Sequence, residues 1–377
     1  RIGYAPRTIY RGRRQSAAVA FLDPIRQRKN LTVLTGVLVD AVVFDGRRAS
    51  AVRAFRNGEP LILSARREIL LCGGTLSSPA VLQRSGIGPA EHLHRLGIPV
   101  VQDNPNVGRN VREHRGIVMQ WRVRDDLSDN RALRGWRLFA SVARYYLTHS
   151  GPLAESMYDA VAYFRSREGL DRPDAQMLIA PFSINYENPA EGVEAHGGMN
   201  LCVYNLRPES QGSVMIRSAD PKQLPEIRSG YGTVASDRLS MIDIVRFSRR
   251  FVASEPLSSM VLEETRPGAQ YESDEQILEA HLKFGYGNYH ACGSCRMGSD
   301  EASVVDPRLR VRGVDGLRVV DTSVFPFMPS GNTNAPAMAL AWRAADLIMQ
   351  DRDPLWRPPA RTDRAHTRTA TQQEGLA

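Results

Sequence analysis

The stretch EILLCGGTLSSPAVLQRSGIG, residues 68–88, decides the fold of this chain. Its first five residues, EILLC, form a short apolar run of the kind found in a fully buried strand. The run leads directly into Gly73-Gly74-Thr75, and the residues that follow are typical of a short helix ending at Gly86. Because glycine has no Cβ, a strand, a glycine turn and a helix start together allow the backbone to approach a ligand closely. The stretch therefore predicts a strand–turn–helix unit beside a ligand site.

The region from Tyr286 to Leu347 carries the side chains best suited to chemistry. It starts with a glycine-rich loop that contains His290, passes through two short β-rich runs and a loop rich in Pro, Gly and Asn, and ends in the helical pattern AMALAWRAADLIM. A helix that follows such a loop directs its free N–H groups and positive dipole end toward it, where an anionic group is stabilised. The alternative is that His290 only caps a turn and that the asparagines only form turns.

Length and composition indicate a globular protein, with two domains expected. The chain has 377 residues, of which 42% are hydrophobic and 24% are charged. No apolar run reaches the length of about 18 residues that a transmembrane helix requires. Four cysteines are too few for a disulfide framework, so reduced thiols and a cytoplasmic location are expected. No signal peptide is visible, but because the chain begins at Arg1 and not Met, that observation carries little weight.

The net charge of +8 and the pI near 9.5 raise the question of nucleic-acid binding. The basic residues are spread along the chain, with small clusters only near its two ends, and no basic stripe interleaved with aromatic residues accompanies them. We therefore expect a solvated basic surface with at most a weak attraction for anions, and no nucleic-acid partner.

Between about residues 116 and 285 the pattern changes to strands interspersed with amphipathic helices. IVMQWRV, residues 117–123, alternates as a strand does, whereas DRLSMIDIVRFSRRFVAS, residues 237–254, has helical periodicity. Alternating apolar runs on both sides of Glu209–Gly212 predict a β-hairpin. Together these patterns predict an antiparallel sheet with helices on one face, within an α+β or α/β fold.

Several segments resemble, in order along the chain, the glucose–methanol–choline (GMC) oxidoreductases. The segment GGTLSSPAVLQRSGIGP resembles the second signature of that family almost position for position. Five further segments resemble its flavin-attachment loop, its substrate-domain hairpin and its C-terminal segments: DNPNVGRNVREH (103–114), ESQGSVMIRSADPKQLPEIR (209–228), NYHACGSCRMG (288–298), VVDPRLRVRGVDGLRVVDTSVFP (304–326) and GNTNAPAMALAWRAADLI (331–348). The resemblance covers residues 10–350 and points to the choline-dehydrogenase-like branch of the family.

This resemblance implies an FAD-dependent enzyme that oxidises the CH–OH group of a small-molecule alcohol to a carbonyl by hydride transfer to flavin N5. The electron acceptor stays open between oxygen and a quinone or other carrier. The implied domains are a partial FAD-binding domain (1–115), a substrate-binding domain (116–285), a return to the FAD-binding domain with the catalytic loops (286–350) and a disordered tail (351–377).

One feature of the family is missing from this sequence. GMC enzymes begin with a strand, a G-x-G-x-x-G turn and a helix that hold the ADP part of FAD, and no G-x-G-x-x-G occurs here. We therefore expect the chain to be the C-terminal portion of an enzyme, either a fragment or a truncated gene product. On its own it is expected to bind FAD poorly or not at all.

The resemblance assigns the catalytic pair to His290 and Asn332. Alcohol oxidation removes the hydroxyl proton while hydride leaves carbon, and a neutral imidazole is the natural base near pH 7. His290 matches the catalytic histidine of the family, and Asn332 matches a second position that holds His or Asn, with Asn334, two residues on, as the alternative alignment. An uncharged amide orients an alcohol but is a poor base, so His290 is predicted to carry proton transfer. Asn334 and Pro336 are predicted to place backbone against the flavin ring.

Four other residues are implied to contact FAD. Asp321 ends the strand in RVVDTSVFP, where a buried carboxylate requires hydrogen bonds. The resemblance places Asp321 and the backbone of Thr322 against the ribityl-pyrophosphate. It places the backbone of Val39 at the adenine edge and Gly74 at the adenosine part.

Two rival interpretations stay open at this point. His290-x-Cys292-x-x-Cys295 puts three potential soft ligands within six residues, as in a zinc or redox site. A structural zinc site needs a fourth ligand, and neither Cys72 nor Cys202 comes with a second Cys or His, so no metal is predicted. The other rival is a truncated, non-catalytic binding or interaction protein. A hydrolase with a nucleophile elbow is disfavoured because no G-x-S-x-G occurs.

Overall fold

A computed structural model describes residues 1–357 of the chain. Within these residues the α-helices are α1 (Gly74–Arg84), α2 (Ala90–Arg95), α3 (Gly135–Thr148), α4 (Ala235–Val252), α5 (Asp274–Phe284) and α6 (Asn334–Arg352). The strands are β1 (Ile2–Tyr4), β2 (Ile9–Tyr10), β3 (Arg13–Arg14), β4 (Val37–Asp45), β5 (Arg48–Arg56), β6 (Glu59–Ser64), β7 (Ile69–Leu71), β8 (Ile87–Gly88), β9 (Gln102–Asp103), β10 (Arg115–Val123), β11 (Ala160–Phe164), β12 (Ala175–Ala180), β13 (Gly198–Asn205), β14 (Ser213–Met215), β15 (Glu226–Arg228), β16 (Val261–Arg266), β17 (Tyr286–Gly287) and β18 (Leu317–Val319).

The largest sheet has seven strands, in the order β1-β11-β12-β13-β10-β16, and β17 also pairs with β10. Its pairings are antiparallel throughout. Successive side chains of a strand point to opposite faces, and the central strand β13 is buried on both. Leu201 and Val203 pack into one hydrophobic cluster, whereas Cys202 and Tyr204 pack into another. The second of these faces is the one that meets the candidate site.

Helices α4 and α5 cover the first face of this sheet. Ile244 of α4 and Ile277 of α5 are almost fully buried in the same cluster as Leu201. Helix α5 begins at a capping box. The Ser273 hydroxyl accepts a hydrogen bond from the Gln276 N–H, and the Gln276 side-chain oxygen accepts one from the Ser273 N–H. The prediction of an antiparallel sheet with helices on one face is confirmed.

The second core surrounds the strand–turn–helix unit. As predicted, β7 leads through Gly73 into α1, and β7 pairs in parallel with β18. Strands β4, β5 and β6 form an antiparallel sheet of three beside it. Leu82 of α1, Leu71 of β7 and Val319 of β18 are all buried in this core. The unit is therefore fixed from both sides, with its glycine turn at the end of the parallel strand.

The β-hairpin predicted around Glu209–Gly212 is wrong. Strand β13 stays in the large sheet, and β14 pairs with β15 instead, so an antiparallel pair does form within residues 209–228, the segment that resembles the substrate-domain hairpin. The buried carboxylate of Asp237 accepts hydrogen bonds from the backbone N–H groups of Glu209, at 3.1 Å, and Ser210, at 2.7 Å. These bonds hold the chain in a loop at the point where the hairpin turn would close. Because Asp237 lies in another element, the local pattern gives no sign of this contact.

The domain division made from the sequence stays a prediction, and two structural facts concern it. Strand β1, from the first predicted segment, pairs with β11 of the large sheet. Helix α6 extends to Arg352, so the first residues of the predicted disordered tail are helical, and residues 358–377 lie outside the described part. Within residues 1–357, no helix combines the length and apolar character needed to cross a bilayer.

Candidate active site

His290 lies in the loop after β17 and is held through its backbone. Its N–H donates to both carboxylate oxygens of Glu113, at 2.9 and 3.0 Å. Gly293, further along the loop, has φ +92°, and a Cβ there would lie 2.4 Å from the carbonyl oxygen of Asn110. Glycine permits both this backbone conformation and this close approach. The loop is therefore fixed against the segment that precedes β10, and His290 is only 8% exposed.

The side chains of His290 and Asn332 meet, although 42 residues separate them in sequence. Asn332 Nδ2 lies 3.0 Å from His290 Nε2. The amide oxygen of Asn332 accepts hydrogen bonds from Gln176 Nε2, at 3.1 Å, and from the Tyr204 hydroxyl, at 3.5 Å. These two donors come from the large sheet and leave the Asn332 N–H directed at the imidazole. Asn332 is an exposed residue, whereas His290 is buried, so a small molecule would reach the pair from the side of Asn332.

His114 is a third member of this group, and the sequence reasoning did not assign it. Its Nδ1 lies 3.0 Å from His290 Nδ1, and its Nε2 lies 3.1 Å from the carbonyl oxygen of Leu206. It is fully buried, and its ring stacks on Tyr204 with 4.8 Å between the centroids. In the sequence, His114 ends the segment that resembles the flavin-attachment loop and lies immediately before β10, and neither position distinguishes it from an ordinary core histidine.

Burial sets the charge of these groups. It lowers the pKa of His290 to about 4 and the pKa of His114 to about 3, so both imidazoles are neutral at pH 7. Burial also raises the pKa of Glu113 to about 7. The backbone N–H groups that donate to this carboxylate, with His290 first among them, act in the opposite direction and lower the pKa. A neutral imidazole keeps one nitrogen lone pair free to accept a proton.

Asp321 and Gly74, which were predicted to contact the same cofactor, belong to one hydrogen-bonded group. Asp321 Oδ2 accepts from the Gly74 N–H at 2.9 Å and from the Ser78 hydroxyl at 2.6 Å. Its Oδ1 accepts from the Ser323 N–H at 2.8 Å. These bonds join the turn after β18 to the start of α1. Gly74 has φ +77°, and a Cβ there would meet no protein atom within 4 Å, so the turn is open on that side.

Val39 borders a cavity of about 810 Å³ beside this turn. The cavity walls are largely apolar and include Leu70 and Leu76, and Gly73 also lines it. Thr322 is tied to α1, since its hydroxyl lies 3.1 Å from that of Thr75. The structure thus brings Val39 and Gly73 to one cavity of the size that binds a small molecule, whereas Gly74, Asp321 and Thr322 are not among its lining residues. The side chains of the catalytic pair are not among its lining residues.

Asn334 is the first residue of α6, and Pro336 lies in its first turn. Proline suits that position because its missing N–H would have no partner inside the helix. The side chain of Thr333, which precedes the helix, makes no capping hydrogen bond. The start of this 19-residue helix therefore offers backbone N–H groups and a positive dipole end to an anionic or electron-rich group.

Cys292 and Cys295 are buried thiols. Cys292 Sγ lies 3.9 Å from Met328 Sδ, and Cys295 belongs to the core around α1. Burial raises the pKa of Cys292 to about 12 and also raises the pKa of Cys295. Metal binding requires thiolate, which burial disfavours here. Among residues 1–357, no three His, Cys, Asp or Glu side chains are grouped so as to hold a metal ion.

Comparison with protein families finds two matching models, both described as GMC oxidoreductase, over residues 2–115 and 208–341. The oxygen-dependent choline dehydrogenase of Chromohalobacter salexigens is 38% identical over 345 residues, which are 92% of this chain and 61% of that protein. The enzyme of the same name from Pectobacterium carotovorum is 37% identical over 95% of this chain and 64% of its own length. The chain thus spans a little over three-fifths of the length of these curated relatives.

Solved structures of related proteins share the fold. A formate oxidase matches with a TM-score of 0.86 and 26% identity over 93% of this chain and 65% of its own. Pyridoxine 4-oxidase from Mesorbium loti matches with a TM-score of 0.80 and 26% identity, over 93% and 64% of the two chains. An FAD-dependent oxidoreductase from Chaetomium thermophilum matches with a TM-score of 0.82 and 25% identity, over 93% and 67%.

Proposed function

The chain belongs to the GMC oxidoreductase family, and on that premise we propose that it supplies the catalytic groups of an FAD-dependent enzyme that oxidises the CH–OH group of an alcohol to a carbonyl. The observation that carries the proposal is the 3.0 Å contact between His290 Nε2 and the Asn332 amide. Two loops bring a proton acceptor and an N–H donor to one point, which is what an alcohol hydroxyl requires. The curated relatives are named as dehydrogenases of choline, which is an alcohol.

In this proposal His290 is the general base and Asn332 positions the substrate. FAD, when bound, accepts the hydride that leaves the alcohol carbon. His290 Nε2, which carries no proton at pH 7, would take the hydroxyl proton once the alcohol replaces the Asn332 N–H that lies 3.0 Å from it. Asn332 donates its N–H to the alcohol oxygen and holds it beside the base. The exposed side of Asn332 is where the alcohol would enter.

The described residues fit FAD at three places. The apolar cavity beside the glycine turn suits an adenosine. The carboxylate of Asp321 accepts hydrogen bonds from Gly74 and Ser78 and can still accept one from a hydroxyl group of the cofactor. The start of α6 suits the flavin ring. We assign Val39 and Gly74 to the adenosine. We assign Asp321 and Thr322 to the ribityl-pyrophosphate, and Asn334 and Pro336 to the flavin ring.

The function is tested by reducing bound flavin with an alcohol in the absence of oxygen. Because the chain alone is expected to bind FAD poorly, the test uses the reconstituted full-length enzyme loaded with FAD. This enzyme is mixed with choline and with other small primary alcohols, and the visible absorbance of oxidised flavin is followed. We expect at least one alcohol to bleach the flavin and to yield the matching aldehyde. Flavin that dithionite bleaches but no alcohol bleaches would contradict the proposal. Adding back oxygen or a quinone then identifies the electron acceptor, and oxygen comes first because the relatives are named oxygen-dependent.

Gly74→Val is expected to weaken FAD binding by about tenfold or more, which corresponds to about 1.4 kcal/mol. No protein atom lies within 4 Å of the added Cβ, so in this proposal the valine methyl groups would occupy space that bound FAD needs. Gly46→Val is the matched control, because Gly46 also has a positive φ and open space but lies in the turn between β4 and β5. Titration of both variants with FAD, each made in the reconstituted full-length enzyme, measures the difference. Equal affinities would remove Gly74 from the binding site.

We also propose a cytoplasmic location. None of the four cysteines forms a disulfide, which is the usual state of thiols in a reducing compartment. Cell fractionation with immunodetection tests this, and recovery of the protein from an oxidising compartment would contradict it.

A further inference from the structure

His114 is buried between two partners that together determine where its proton lies. Its Nε2 faces the carbonyl oxygen of Leu206, at 3.1 Å, and a carbonyl can only accept a hydrogen bond. His114 Nε2 therefore carries the proton. Burial lowers the pKa of this histidine to about 3, so the ring is neutral and its Nδ1 is a bare acceptor. Turning the ring over would leave carbon atoms facing both partners.

The protonation of His114 in turn determines which ring nitrogen of His290 carries its proton. The two Nδ1 atoms lie 3.0 Å apart, which is hydrogen-bond distance, and the bare Nδ1 of His114 cannot donate. His290 Nδ1 must therefore carry the proton. A neutral imidazole has only one N–H, so His290 Nε2 is left with a free lone pair. The opposite tautomer of His290 would set two lone pairs against each other at that distance.

We propose that His114 is a positioning residue, which fixes His290 in the tautomer whose free lone pair on Nε2 faces Asn332. This inference rests on the proposed function only in taking His290 Nε2 as the proton acceptor. The amide gives an independent observation, because Asn332 Nδ2 lies 3.0 Å from that nitrogen and donates only to a bare one. His114 does not touch the alcohol, and its effect is carried through His290.

Strand β13 and the residues just after it hold His114 and Asn332 in these positions around His290. Tyr204 stacks on the His114 ring, with a centroid distance of 4.8 Å and 30° between the planes. Leu206 supplies the carbonyl two residues later. Tyr204 also donates to the Asn332 oxygen, at 3.5 Å. One strand of the large sheet thus orients both the histidine behind the base and the amide in front of it.

Nuclear magnetic resonance of the flavin-free chain tests the tautomer without any turnover. With ¹⁵N-labelled histidine, long-range ¹H–¹⁵N spectra distinguish protonated from bare ring nitrogens. We expect protonated Nε2 and bare Nδ1 in His114, the reverse in His290, and a scalar coupling between the two Nδ1 atoms. A protonated Nε2 in His290 overturns the proposal. Because wild-type protein gives this answer, it does not depend on whether a variant folds.

Two substitutions then separate positioning from plain packing. His114→Asn keeps an oxygen that accepts from His290 Nδ1–H, whereas His114→Leu fills the site without an acceptor. In the FAD-loaded enzyme, His114→Leu is expected to lower kcat about 10- to 100-fold with KM little changed, as for other groups that orient a functional histidine. His114→Asn should recover most of that loss and keep the His290 tautomer. Equal kcat values in the two variants would overturn the proposal. If wild-type protein has the stated tautomers but oxidises no alcohol, the proposed function fails and this inference stands.

Discussion

Replacement of His290 by alanine in the FAD-loaded enzyme is expected to lower kcat for alcohol oxidation by about 10²–10⁴-fold, the usual contribution of a general base. His290 Nε2 is the proton acceptor in the pair with Asn332, and the amide cannot substitute for it because it has no basic lone pair at neutral pH. The hydroxyl proton would then pass to water, without the positioning that the imidazole provides. The loss should appear in the rate of anaerobic flavin reduction, which isolates the chemical step.

Two comparisons make this result specific to proton transfer. Flavin content is measured first, since the variant must bind FAD as the wild-type enzyme does. His94→Ala removes an exposed imidazole from α2 and should leave the rate unchanged. A flavin-loaded His290→Ala enzyme that is reduced at the wild-type rate would remove His290 as the base. A loss confined to KM would instead assign His290 to binding alone.

The elements that could be predicted from the sequence are those specified by residues close to one another in the chain. The apolar run at β7, the glycine turn after it and the helix α1 are each specified by residues within the same short stretch, and the structure has all three. The antiparallel sheet could also be predicted, because β-branched alternation is a local signal. His290 and Asn332 were selected through motifs, and the structure brings their side chains to 3.0 Å. Their catalytic roles remain a prediction.

The parts that were not predicted depend on contacts between distant segments. His114 contacts His290, which is 176 residues away in the sequence, and Leu206, which is 92 residues away. The residues around His114 give no indication of either partner. The wrong hairpin has the same origin, since the carboxylate of Asp237 captures backbone N–H groups 27 and 28 residues away. In both cases a buried polar group is satisfied over a long range, and that requirement is not visible in residue patterns.

The second large effect expected is a change in acid stability when His281 is replaced by leucine. His281 lies in α5, is fully buried, and finds no hydrogen-bond partner for either ring nitrogen within residues 1–357. Burial, with a smaller contribution from the charge of Arg115, lowers the pKa of His281 to about 3. The folded protein therefore keeps this ring neutral down to low pH, whereas an unfolded chain protonates it below about 6.5.

This difference destabilises the folded protein in acid. Between about pH 6.5 and pH 3 the unfolded state binds one more proton at this site, so the free energy of unfolding falls as the pH falls. By pH 5 the loss from one such histidine is about 2 kcal/mol relative to pH 8. His114, whose pKa is also lowered by burial, acts in the same direction. Glu113 acts in the opposite direction, because its raised pKa makes the folded state bind the extra proton between about pH 4.5 and 7.

Comparison of His281→Leu with wild type isolates one of these opposing effects. The other groups contribute equally to both proteins, so the difference in unfolding free energy should move by about 2 kcal/mol in favour of the variant between pH 8 and pH 5. Urea unfolding at the two pH values measures it. Ile277→Val, one turn earlier on α5, is the control: it removes a buried methyl group without a titrating one, and its effect should be the same at both pH values. A His281→Leu difference that does not change with pH would show that the buried ring gains its proton in the folded and unfolded states alike.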